Sequence, residues 1–483
     1  MELAGRIIQA CLINTPNGVQ DAFLNECHTA GINSEAELVC LVRLLGLLHD
    51  IGHLPFSHLS EGILETIETA LGRLYSSDVG WNDFEKIYIK GPRPKIHEFA
   101  AVRLIETDAH IKNAFKICNM EKIQGLLIKA FKEKTNIFKT LHEVIDCEID
   151  ADRGDYLLRD GLTSGIGFGQ YDILRLIESM RLYQKGSNFY IRPTTAALST
   201  VEAFLLERYK LYKWLYHHQH VVLTDTVLAK LLRNLVTYNE NSEHLLSGFL
   251  TIEDFHYKKY YGEDGYFFDE IEIWNRLRNC YRKCKDIIEN NFKINKAIPD
   301  DIRLTFTFLR ILLYRKKLAK ALWKNYSTYT KFAEELKSHI VNITEKRQDT
   351  VYEGMEILRR YAEKTAKDPL ERKVRLTEKL EKNGYSIIEA ERTTFKPIKL
   401  RNVELKLSEY ELIDKNENAL VPITSLSVLV RSLPDAWLKD LQFYVFLVNS
   451  EGIDDKGWAL RIEECKGKIK ETLAELYSAN VLF

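Results

Sequence analysis

Residues 44–61, LLGLLHDIGHLPFSHLSE, carry an apolar run into His49-Asp50, followed by Gly52, His53, Pro55 and His58. Imidazole nitrogen beside carboxylate oxygen is a donor set for borderline and hard divalent cations. Adjacent residues on a helix point about 100° apart. A cation shared by His49 and Asp50 must therefore sit near the helix end and take further donors from elsewhere in the chain. Gly52 and Pro55 interrupt the helix, which frees His53 and His58 to turn toward the same space. The plain alternative is a set of histidines satisfied by ordinary hydrogen bonds. Three histidines and an aspartate within ten residues favour a charged site, because an unpaired Asp50 buried there would be costly by several kcal/mol.

A second segment is HEVIDCEIDADRGDYLLRDGLTSGIG, residues 142–167. Asp152, Tyr156 and Asp160 stand at i, i+4 and i+8, on one stripe of a helix. Two carboxylates and a phenol do not make a core face. By itself the stripe reads first as a solvated acidic surface paired with Arg153 and Arg159.

The elements that must position these groups are mostly helical. Only 10 prolines and 24 glycines punctuate 483 residues, which favours long helices over strands and turns. Apolar residues recur at helical spacing over 1–14, 35–50, 96–117, 120–133, 137–160, 171–185, 195–236, 269–290, 300–324 and 326–345. After about residue 345 the texture changes. Residues 350–382 are charged and helical. YSIIEAERTTF, VELKLSEYELIDKNENALV and FYVFLVNS then alternate and carry β-branched or aromatic residues, with Lys415–Asn418 as a hairpin turn. Residues 455–478 close with an amphipathic helix, and KKYYGEDGYFF at 258–268 reads as an exposed loop. The expectation is a mainly α protein, with a helical domain over 1–345 and a small α+β subdomain over 346–483.

Taken together, the HDIGHLPFSH run and IDADRGDYLLRD at 149–160 resemble the deoxynucleoside triphosphate triphosphohydrolases of the HD superfamily. The resemblance extends to His97-Glu98 in KIHEFAAVRLI, to LLERYKLYKWLYHHQHVV at 205–222 and to FLRILLYRKKLAKALW at 308–323, covering roughly residues 1–325. It implies an HD-type helical bundle in which His49, Asp50 and Asp152 hold a divalent metal (Mg, Mn, Fe, Co or Zn). His53, His58 and His97 then line the triphosphate site, with His58 as acid to the leaving 5′ oxygen and Glu61 orienting it. Arg153 and Arg208 contact phosphate, Tyr156 packs on or bonds to the sugar, Asp160 accepts from its 3′ hydroxyl, and Tyr216 meets the sugar or base edge. The family's further metal ligand, a histidine in an Arg-x-x-His-Ser stretch ahead of the first helix, has no counterpart in these residues. The first histidine here, His28 in the apparent loop CHTAG, is poorly placed to replace it.

The remaining features narrow the class. A formal net charge of -1 gives no whole-chain basic field, so any anion site is local. Eight scattered cysteines without a CxxC pair suggest reduced thiols, and a metal role for Cys280 and Cys284 lacks two further partners. No histidine follows Glu98 at HExxH spacing, which excludes that zinc-protease motif. The apolar stretch 38–48 is broken by Arg43 and too short to span a bilayer. A cytoplasmic protein is expected, without a membrane role and with nucleic acid still open as a partner. NRLRNCYRKCK at 275–285 reads as a solvated helix face. By analogy with relatives, Arg276, Arg278, Arg282 and Arg315 are its alternative use as a phosphate-binding regulatory patch. Trp214 and Trp323 read as core.

The leading expectation is an enzyme that hydrolyses a deoxynucleoside triphosphate to deoxynucleoside and inorganic triphosphate, as a homo-oligomer with a nucleotide activator as a further expectation. An HD phosphodiesterase or nuclease on another phosphate ester, and a catalytically impaired nucleotide sensor, are the alternatives.

Overall fold

The computed structural model describes residues 1–67, 74–78, 80–81, 96–133, 136–256, 269–345, 347–367, 376–391, 410–416, 418–438 and 443–482. It is mainly α, with small sheets. In chain order the first helices are α1 (Glu2–Asn14), α2 (Asn17–Thr29), α3 (Glu35–Leu48), α4 (His58–Thr66), α5 (Ile96–Thr107), α6 (Ala109–Ile117), α7 (Glu121–Lys132), α8 (Asn136–His142), α9 (Ala151–Ser164) and α10 (Ile173–Ser179). After the strands β1 (Met180–Lys185) and β2 (Asn188–Pro193) come α11 (Leu198–Leu211), a π-helical turn over Tyr212–Tyr216 and α12 (Gln219–Glu240). Then follow α13 (Glu270–Lys293), α14 (Asp300–Tyr314), β3 (Ala319–Ala321), α15 (Tyr326–Thr344), α16 (Gly354–Lys367), α17 (Leu376–Glu381) and β4 (Ile387–Glu391). The last are β5 (Glu411–Asp414), β6 (Ala419–Pro422), α18 (Ile423–Leu426), α19 (Val428–Leu438), β7 (Phe443–Val448) and α20 (Asp455–Ser478).

The helical spans follow the apolar periodicity, and their ends follow capping chemistry. Ser34 opens α3 by accepting from the Glu37 amide, and α3 buries Leu38, Leu41, Val42 and Leu45, an i, i+3, i+4, i+7 face. The expected helix over 96–117 is two helices, because the Asp108 side chain caps α6 at the Ile111 amide. Likewise 137–160 is broken before α9, where the Asp150 carboxylate accepts from the amides of Arg153 and Cys147. An N-cap acceptor satisfies orphan amides that a continuous helix would have bonded internally. The expected helix over 171–185 ends at Ser179 and becomes β1, which pairs antiparallel with β2 across the two-residue turn Gly186-Ser187. The stretch 300–324 stops as helix at Tyr314 and continues as β3. His28 lies in the last turn of α2, not in a loop, and is exposed. Residues 258–268 lie outside the described residues.

The chain forms two compact units, each assembled from three stretches: Met1–His53, Val79–Tyr216 and Leu400–Ala436 in the first, and Leu54–Asp78, His217–Lys399 and Trp437–Phe483 in the second. The core of the first unites α1, α3, α7, α9 and α11 with the β1–β2 hairpin. Tyr410, Leu412, Ile423 and Val430 from late in the chain complete it. Ile413 bridges Thr194 beside β2. In the second, β3, β7 and β4 form an antiparallel sheet with β7 in the middle, so strands from both sides of residue 345 share one sheet. Trp323 is buried there as expected. Among the described residues no helix is long and apolar enough to cross a membrane, and the cysteines are free thiols.

Asp225, partly buried in α12, is the basis of one stability prediction. Burial pushes its carboxyl up to about 6. Between the unfolded value near 4 and this folded value, the folded chain holds a proton that the unfolded chain has lost, so stability falls as pH rises through that window. Asp225→Asn should flatten this slope and raise stability at pH 7 by up to about 3 kcal/mol. Melting temperatures at pH 4.5 and pH 7 check it, and an unchanged difference between the two pH values would refute it.

Candidate metal centre

Two elements of the first unit deliver one cluster of three possible cation donors. The C-terminus of α3 ends in His49 and Asp50, and the first turn of α9 presents Asp152. Donor atoms of His49, Asp50 and Asp152 lie within 4.8 Å of one another. The His49 Nε2 atom stands 3.3 Å from Asp50 and 3.7 Å from Asp152. Both ring nitrogens of His49 are buried, and neither meets an acceptor in hydrogen-bonding geometry. Burial disfavours charge on His49, but the fields of Asp152 and Asp50 outweigh it and raise the imidazole above its ordinary value. Burial likewise opposes ionisation of Asp50, yet a hydrogen bond from His53 and the neighbouring imidazoles His49, His53 and His97 bring its carboxyl down to about 2. A half-buried imidazole whose inward ring nitrogen faces two carboxylates at 3.3 and 3.7 Å is an arrangement that a divalent cation would satisfy. The nitrogen and oxygen donors suit Mg, Mn, Fe, Co or Zn without selecting among them.

A second layer surrounds these groups. His53 Nε2 is 3.3 Å from Asp50, and its ring lies 3.8 Å, centroid to centroid, from that of buried His97 on α5. The close approach depends on Gly52, whose missing Cβ leaves room for the backbone of α5 at His97 and Ala101.

The stripe of α9 meets α11 and the π-helical turn. Tyr216 donates to Asp160 at 2.6 Å, and Tyr156 shares a hydrogen bond of 3.2 Å with Tyr212. Tyr212 packs against Tyr216 with ring centroids 5.0 Å apart. Burial, then the Asp160 bond, raises the Tyr216 phenol above its ordinary value. Tyr212 went unrecognised in the sequence. Its signal was the i, i+4 spacing from both Arg208 and Tyr216, obscured by a π-helical turn of a kind often found at functional sites. Trp214, expected in the core, is 57% exposed and lies against Lys213. Its position two residues from both Tyr212 and Tyr216 turns it away from their face.

The two arginines are already engaged. Arg153 pairs with Asp150, the buried N-cap of α9. Arg208 donates to buried Glu148 at 2.9 Å, while its Nε has no partner. Burial pushes the Asp150 carboxyl up to about 6 against the pull of Arg153. Arg276 pairs with Asp254 and Glu272, whereas Arg278, Arg282 and Arg315 are exposed.

His58 and Glu61 belong to the second unit. His58 opens α4, and its Nδ1 lies 3.2 Å from the Glu61 carboxylate, whose side chain is 8% exposed. The carboxylate holds the ring in place through that contact, and an ionised Glu61 would accept from a proton on Nδ1.

No family model matches the chain. The chain is similar to protein MJ1154 of Methanocaldococcus jannaschii, 26% identical over 199 residues that cover 41% of this chain and 34% of that protein. It is also similar to protein L394 of Acanthamoeba polyphaga mimivirus, whose name gives it an HD domain, 24% identical over 211 residues that cover 43% and 40%. Among solved structures it is similar to a phosphohydrolase (BT4208) from Bacteroides thetaiotaomicron, at 16% identity with a TM-score of 0.49, over 89% of this chain and 84% of that one. The matched region spans less than half the length of these curated relatives.

Proposed function

We propose that this chain is a metal-dependent phosphohydrolase of the HD type that converts deoxynucleoside triphosphates to deoxynucleoside and inorganic triphosphate. The observation that carries the reading is the convergence of His49-Asp50 and Asp152, about a hundred residues apart in sequence, on one cluster fit for a cation. The similarity to a viral relative named for its HD domain supports the class of chemistry. The nucleotide specificity rests on the α9 stripe and its tyrosine partners.

A divalent cation on His49, Asp50 and Asp152 would supply positive charge to non-bridging phosphate oxygens. In the proposed reaction water oxygen bonds to the α-phosphorus, the bond from that phosphorus to O5′ breaks, and the 5′ oxygen takes a proton. His58 is the assigned donor of that proton, and Glu61 stabilises its imidazolium form. His53 and His97 donate to phosphate oxygens. Arg153 and Arg208, held by Asp150 and Glu148, contribute positive charge from fixed positions. Asp160, aligned by Tyr216, accepts from the 3′ hydroxyl of the sugar, and Tyr156 packs on its ring.

The test is a panel of the four deoxynucleoside triphosphates with Mg, Mn, Fe or Co, with products separated by chromatography. Release of inorganic triphosphate is expected, reduced about a hundredfold or more in His58→Ala. Nucleoside monophosphate as product would favour a phosphodiesterase instead, and saturable binding without turnover would favour a nucleotide sensor.

A further inference from the structure

The turn that delivers His58 is built from conformations that ordinary residues avoid. Phe56 and Ser57 both take positive φ, 62° and 52°, and Ser57 combines this with ψ of -128°. That region is open to glycine and disfavoured for any residue with a Cβ. Such a turn persists only when its surroundings over-determine it. Part of the restraint is local: the Ser57 amide donates to the Leu54 carbonyl at 2.7 Å, and the Ser60 hydroxyl donates to the Pro55 carbonyl.

The rest comes from α13, more than two hundred residues away in sequence. The Phe56 amide donates to the Glu270 carboxylate at 3.0 Å, and the Phe56 ring meets Trp274 edge to face, 5.7 Å between centroids. Glu270 and Trp274 stand at i and i+4 in the opening turns of α13, so they face the turn together. One restrains its backbone and the other its side chain. His58 follows two residues after Phe56, and its ring must lie on Glu61 to hold the proton-donating geometry.

We propose that Glu270 and Trp274 are positioning residues for His58, clamping Phe56 and Ser57 in the strained turn so that the imidazole stays seated on Glu61. The inference rests on the reading of His58 as proton donor. Neither residue is assigned contact with substrate. A side chain that merely stabilised the fold would lower the amount of folded protein and leave the chemistry of the folded fraction unchanged. A positioning residue lowers kcat at nearly constant KM, because substrate still binds while the donor is misplaced.

The test uses the full chain and four variants: Glu270→Ala, Glu270→Gln, Trp274→Ala and the double variant Ser57→Gly with Glu270→Ala. Two readouts are taken. The first is the ¹⁵N shifts of the His58 ring in histidine-labelled protein, assigned by its disappearance in His58→Gln. The second is kcat and KM for triphosphate release from the four deoxynucleoside triphosphates with Mn. Glu270→Ala and Trp274→Ala should each move the His58 signals and lower kcat about tenfold, with KM within about twofold. Glu270→Gln should restore both readouts, because its amide oxygen still accepts from the Phe56 amide. Glycine at 57 should restore the Glu270→Ala protein, because glycine adopts the turn without strain. Unmoved His58 signals in Glu270→Ala, or alanine and glutamine variants that behave alike, would overturn the clamp. A wild-type protein that releases no triphosphate would count against the nucleotide reading, while the ring signals would still decide the clamp.

Discussion

Asp152→Ala is expected to lower kcat/KM for the preferred deoxynucleoside triphosphate by about a thousandfold or more, which is about 4 kcal/mol of transition-state stabilisation. It should also lower the bound-metal content of the purified protein. Asp152 sits in the first turn of α9, and its side chain is 40% exposed, so its removal opens no cavity and the melting temperature without metal should hold. The loss therefore falls on the cation. With Asp152 gone, His49 and Asp50 remain as adjacent residues at one helix end, and two donors from one place hold a divalent ion poorly. Metal content by plasma mass spectrometry and triphosphate release measured on the same sample check both halves. Normal metal content together with normal turnover would remove Asp152 from the site.

The second large effect is structural. Gly52→Ala should destabilise the protein by about 3 kcal/mol or more and abolish triphosphate release together. A Cβ at position 52 would overlap the carbonyl oxygen of His97 and the amide nitrogen of Ala101. Both are backbone atoms of α5 and cannot rotate aside, so either α5 or the turn after α3 must move. His97 rides on the first, Asp50 and His53 on the second, and the geometry that draws the Asp50 carboxyl down is lost in either case. Gly125→Ala is the matched control. It lies in α7 with open space around its Cβ position, and it should stabilise the helix by up to about 1 kcal/mol. Melting temperatures and soluble yield distinguish the two. A Gly52→Ala protein as stable as wild type would refute the close-packing account.

The mainly α class and the meeting of His49, Asp50 and Asp152 were both legible in the sequence, and the boundaries of several elements were not. His49, Asp50 and Asp152 were readable as a cluster because metal donors are polar residues in places where a core would have apolar ones. The spans of α1, α3, α7, α13 and α20 were readable because their buried faces repeat at helical spacing. The β1–β2 hairpin was missed, although Met180 and Leu182 on one side of Gly186 and Phe189 and Ile191 on the other are its buried residues. Four apolar residues in so short a segment fit a helix end nearly as well as two short strands, and only the turn arbitrates. The α2 helix was missed because it buries only Phe23 and Cys27, too few to show a period. Tyr212 stayed hidden because the π-helical turn shifts the register on which a helical wheel depends. Trp214 was misplaced for the same reason.

The late arrival of the residues that finish the first unit has a consequence for its biosynthesis. All three cation donors leave the ribosome by residue 152, yet Tyr410, Leu412, Ile423 and Val430 seal the same core. At translation rates of about 5–20 residues per second, the apolar helices of that unit wait on the order of ten seconds or more for their missing wall. Throughout that interval apolar helix faces of the unfinished core stay open to water, which makes the nascent polypeptide a natural client for chaperones.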